Sequence, residues 1–106
     1  MEITMEDLDR WLAENVMGWV WPHGLYWWHP STDIAQAMQV VSKMLSESNE
    51  DFIWEFELSI FEGVAYATFC QHFKKGKGKD RIFDAQTSED TPEMAICLAA
   101  KKALEE

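Results

Sequence analysis

Behind Thr4-x-x-Asp7, which resembles a capping box, apolar residues recur at helical spacing at Leu8, Trp11, Leu12 and Val16. This predicts a first helix from about Met5 to Val16, closed by Gly18. The stretch from Trp19 to Pro30 is too aromatic, and too interrupted by Pro22, Gly24 and Pro30, for a regular helix. It predicts short extended pieces joined by a turn. Ser31-Thr32-Asp33 then offers three N-cap side chains, and Ile34, Met38, Val41 and Leu45 follow at i, i+4, i+7 and i+11. A second helix is expected there, ending near Ser46 to Ser48.

From Phe52 the period falls to two. Phe52, Trp54, Phe56, Leu58 and Ile60 alternate with Ile53, Glu55, Glu57, Ser59 and Phe61, the pattern of a half-buried strand. Glu62-Gly63 is a short turn, and Val64 to His72 resumes with β-branched, aromatic and small residues, so the two runs predict an antiparallel hairpin. A loop from Lys74 to Asp80 leads to a third strand, Arg81 to Gln86. Thr91-Pro92-Glu93 supplies a capping hydroxyl, a proline at the first helical position and an acid favoured by the helix dipole. Met94, Cys97, Leu98 and Leu104 mark the expected buried side of this last helix. Two helices, three strands and a helix make an α+β pattern, one domain over residues 1–106 without internal repeats, with helices packed on an antiparallel sheet.

Composition narrows the function classes. With 106 residues, 47% apolar and 26% charged, the chain can bury one core without staples, and no apolar run approaches the ~18 to 20 residues that span a bilayer. A soluble protein is expected. Nineteen acids against nine Lys and Arg give a net charge of −10, which disfavours nucleic acid and anionic membranes as partners. Five of the nine cations, Lys74, Lys75, Lys77, Lys79 and Arg81, form one run. That run reads either as a contact for a phosphate or an acidic partner, or, given Gly76 and Gly78, as a solvated loop; the second reading is the commoner. Cys70 and Cys97 stand in apolar surroundings without CxxC spacing, so both are expected as buried, reduced thiols.

Three constellations carry candidate chemistry. Trp19, Trp21, Tyr26, Trp27 and Trp28 are dense enough to form a stacking platform or the anchor of a protein interface, whereas Trp11 and Trp54 fall on regular apolar faces and are assigned to the core. Ser31 and Thr32, ahead of the second helix, either cap it or present backbone N–H groups to an anion, and Asp33 argues against phosphate there. Aromatic rings beside that helix start would make a nucleotide-sized pocket. His23, His29, His72 and the two cysteines are the soft metal-ligand candidates. Only Cys70 and His72 share a strand face, so no metal site is expected. No catalytic motif is present, and no enzymatic activity or cofactor is expected.

Leu12-Ala13-Glu14-Asn15-Val16-Met17-Gly18-Trp19, Pro30-Ser31-Thr32-Asp33-Ile34-Ala35-Gln36-Ala37 and Thr91-Pro92-Glu93-Met94-Ala95-Ile96-Cys97-Leu98-Ala99-Ala100 resemble, in order and spacing, the small phage proteins grouped as the phage ABA sandwich domain. The resemblance implies a three-layer α/β/α sandwich, with helices flanking a central antiparallel sheet, and a phage or prophage gene expressed in the host cytoplasm. It implies no reaction. The expected function is a non-enzymatic phage accessory protein that binds a host or phage protein, such as a host defence factor, through Trp19, Trp21, Tyr26, Trp27, Trp28, Ser31 and Thr32, with a homodimer through the aromatic segment as a further expectation. The alternatives are a sponge for a nucleotide-like small molecule and a structural or packaging-associated component.

Overall fold

The computed structural model describes residues 5–19, 27–76, 78–87 and 91–105, with the side chains of 5, 6 and 84–87 excepted. The described residues form three helices, α1 (Met5–Asn15), α2 (Ile34–Ser46) and α3 (Pro92–Glu105), and a sheet of β1 (Phe52–Phe61), β2 (Val64–Phe73) and β3 (Arg81–Thr87). The class is α+β, and every element begins within a residue of its expected position. Strand order is β1-β2-β3, antiparallel throughout.

The ends of these elements follow from local chemistry. Gly18, at φ +72°, turns the chain after α1 so that the Trp19 amide donates 2.8 Å to the Ala13 carbonyl. The side chain of Asp33 caps α2 by accepting 3.2 Å from the Gln36 amide. Glu62 and Gly63 both have positive φ, 51° and 75°, the requirement of a type I′ hairpin loop, and they set the register that pairs Phe61 with Val64. Thr4 and His23 lie outside the described residues.

The core lies between the helices and one face of the sheet. Trp54, Ala65, Ala67, Phe69 and Phe83 are buried on that inner face, whereas Ile53, Glu55, Glu57, Ser59, Phe61, Tyr66 and Ile82 on the outer face are exposed. The described helices therefore cover the inner face only. α3 touches all three strands and both other helices, and buries Ala95, Ile96, Cys97, Ala99, Ala100 and Ala103. Small residues around much of its circumference let neighbours approach from several sides.

Some positions differ from expectation. The buried stripe of α2 is Ala37, Val40, Val41 and Met44, while Ile34, Met38 and Leu45 are exposed. The two stripes share Val41 and lie side by side on a helix that is apolar over much of its circumference; Ala37 is fully buried, and the helix packs on α3 and β1. Leu104 is exposed rather than buried. Of the two thiols, Cys97 is sealed inside, but Cys70 is only half-buried, because its strand phase turns it to the outer face.

Candidate functional site

The tryptophan segment divides residue by residue. Trp28 is wholly buried, and its indole Nε1 donates 3.0 Å to the Asp9 carbonyl on α1. Ser31 is buried too: its amide donates to one Asp9 carboxylate oxygen at 2.9 Å and its hydroxyl to the other at 3.0 Å. Neither meets solvent, so the expectation that they face a ligand or partner is corrected. A large ring and a hydroxyl with a good internal partner gain more from the interior than from water. Burial holds the Asp9 carboxyl above its ordinary range, opposed by the two Ser31 hydrogen bonds and then by His29.

Trp19 is partly buried against the core, with its ring 4.8 Å from that of Trp28 and 5.6 Å from that of Trp27. Trp27 is 48% exposed, and its carbonyl accepts 2.8 Å from Gln36 Nε2 on α2. Thr32 is exposed, its hydroxyl donating 3.4 Å to the His29 carbonyl. Trp21 and Tyr26 lie outside the described residues. At the start of α2 the Ser31 and Gln36 amides donate to the carboxylates of Asp9 and Asp33. Trp11 packs partly buried against the core, with the Lys101 ammonium 5.2 Å from its ring.

A cavity of about 460 Å³ opens elsewhere, where the C-terminal ends of the helices meet the end of the sheet. Val16, Met44, Phe52, Trp54, Ala103 and Leu104 are its apolar lining. Gln71 and Arg81 line it from the sheet. They occupy inner-face positions by the same alternation that buries Phe69 and Phe83, and the register puts Trp54, Gln71 and Arg81 in one row across the three strands. Sequence reasoning missed both. The signal was a polar residue at an apolar phase, since Ala65, Ala67 and Phe69 are followed two residues on by Gln71. The Arg81 guanidinium lies 5.2 Å from the centre of the Phe83 ring and has no carboxylate partner among the described residues.

On the outer face, His72 stands between two carboxylates. Its Nε2 donates 2.9 Å to Glu55 Oε2 and its Nδ1 donates 2.9 Å to Asp80 Oδ2. The Asp80 and then the Glu55 hydrogen bonds hold its pKa above the ordinary histidine value. Cys70 Sγ is 3.8 Å from Nδ1, the Cys70 and His72 proximity expected from the strand phase. Burial, and then Asp80 and Glu55, hold the Cys70 thiol above its ordinary pKa, which disfavours the thiolate. Among the described residues, no group of three or more His, Cys, Asp or Glu is arranged to hold a metal ion, and no helix is long and apolar enough to cross a membrane.

The phage ABA sandwich domain model matches residues 10–101, nearly the whole chain. No curated protein and no solved structure matches. On the strength of that match, and of helices packed on an antiparallel sheet in the expected order, the chain belongs to the phage ABA sandwich domain family.

Proposed function

We propose that the protein is a non-enzymatic phage accessory factor that acts in the host cytoplasm by binding a host or phage protein with a basic face. Its docking surface is Trp27 together with the exposed stripe of α2. One observation carries this reading: Trp27 is both exposed and fixed. Its ring rests against Trp19 and Trp28, and Gln36 grips its carbonyl. An indole already held in place loses little freedom on docking, and such residues dominate the energetics of small interfaces. Ile34, Met38 and Leu45 extend the apolar area along α2. A net charge of −10 on each molecule opposes the pairing of two copies and steers the surface toward a cationic partner, which ranks the homodimer second.

The finer, three-layer form of the sandwich belongs to the same proposal. In this reading the partner polypeptide supplies a second helical layer over Ile53, Tyr66 and Ile82, on the sheet face opposite the described helices. Cys70 reports on it, because its thiol on that face should be labelled in the free protein and protected in the complex.

The test of docking is capture from host lysate on the immobilised protein, followed by titration of the purified captured protein. The reading predicts a basic partner, released by salt, whose affinity falls about thirtyfold in Trp27→Ala. Affinity unchanged by Trp27→Ala, or a partner indifferent to salt, contradicts it.

A further inference from the structure

We propose that the cavity at the sheet end binds a small anion carrying a planar, hydrogen-bonding ring, of the chemical class of a nucleoside monophosphate. The site is separate from the Trp27 surface and does not depend on it. At about 460 Å³ the cavity falls within the range of small-molecule sites.

The first argument is the break in pattern. Gln71 and Arg81 are the polar members of an inner face that is otherwise aromatic or small from Ala65 to Phe73 and at Phe83. A polar residue on the core side of a strand costs stability unless it has a partner, and a face that breaks its own rule beside a cavity marks a working site. Among the described residues, the Gln71 side chain makes no hydrogen bond, and its amide can both donate and accept.

The second argument is the set of open valences. Asn15 donates its amide N–H to the Trp11 carbonyl at 2.9 Å, leaving its oxygen to accept. Asn49 Oδ1 already accepts from the amides of Asp51 and Phe52 at 2.7 and 3.2 Å, leaving its NH₂ to donate. These two groups and Gln71 line the cavity with both donors and acceptors, the complement of a heteroaromatic ring edge. Trp54 and Phe52 give the ring an apolar seat, and Arg81 lies two strands from Trp54, about 10 Å at the usual interstrand spacing. A guanidinium at that distance, without a carboxylate partner among the described residues, suits a phosphate joined to the ring by a sugar.

Electrostatics puts the anion at the same end. The helix ends lining the opposite wall carry partial negative charge, and Lys43 there is paired with Glu47 at 3.2 Å. On the sheet side the cavity presents Arg81. The loop from Phe73 to Arg81 leaves the sheet at this end and carries the exposed Lys74, Lys75 and Lys79, while its one acid, Asp80, is held by His72 and the Phe73 amide. The basic run thus sits beside the one arginine of the cavity, in a chain that is strongly acidic elsewhere.

The test is calorimetric titration of the full chain with AMP, GMP, CMP and UMP, each beside its nucleoside and inorganic phosphate. Saturable binding of at least one nucleotide is expected, weakened about tenfold or more in Arg81→Ala and in Gln71→Leu, and unchanged in Trp27→Ala. Arg81 is exposed, so Arg81→Ala should melt with the parent protein and remain a valid probe even if Gln71→Leu does not fold. Absence of saturable binding by all four nucleotides up to about 1 mM overturns the proposal. So does binding of inorganic phosphate as tight as that of every nucleotide, or nucleotide binding indifferent to Arg81→Ala.

Discussion

The tryptophan segment and the sheet end invite opposite first impressions. Around residues 27 to 31 the chain concentrates aromatic and hydroxyl side chains, yet Trp28 and Ser31 are spent on α1, where Asp9 takes hydrogen bonds from both. At the sheet end the aromatic density is lower, yet Gln71 and Arg81 line a cavity, and neither side chain has a hydrogen bond or ion pair to a described residue. Density of a residue type along the chain measures how much apolar area must find a place. A residue out of phase with its own strand measures a departure from what packing alone would select.

Breaking the inward-facing half of the tryptophan segment should have the largest effect. Trp28→Ala removes a fully buried indole and its hydrogen bond, and should lower unfolding free energy by about 3–5 kcal/mol, read from the urea midpoint. Asp9→Ala strands the Ser31 amide and hydroxyl in the interior and should cost about 1–3 kcal/mol in the same assay, with Asp9→Asn costing less because an acceptor oxygen remains. If both substitutions prove neutral, the segment is not anchored to α1.

The His72 pair should show itself through pH. Its folded pKa is raised, so its stabilisation is complete below the unfolded value of about 6.5 and is lost as pH rises through the higher folded value. The urea midpoint should therefore decline across that window, and His72→Gln should flatten the decline. Smallest of all, Trp27→Ala and Arg81→Ala should each leave stability within about 0.5 kcal/mol, since both side chains reach solvent. That result separates binding surface from scaffold in the two regions.

Most of the fold was legible because local signals and facial period agreed. Glu62-Gly63 demanded a hairpin, Asp33 a helix start, and Phe52 to Phe61 a strand, and each formed as expected. The phase of α2 was not legible, because Ile34, Met38, Val41 and Leu45 satisfy helical spacing as well as the stripe that packs, and tertiary packing on α3 and β1 chooses between them. The fate of Trp28 was equally hidden, since its partner lies 19 residues away on another helix. Gln71 and Arg81 were visible as polar residues at apolar phases. What remained unreadable was that α1, α2 and α3 end where those residues stand and leave a cavity there.

Nuclear magnetic resonance of the indole N–H groups during titration with a nucleoside monophosphate tests the contrast between the two regions most directly. The cavity reading predicts that the Trp54 signal shifts with saturation while that of Trp28 stays fixed. Shifts at Trp19, Trp27 or Trp28 with Trp54 unmoved would put recognition back in the tryptophan segment and contradict it.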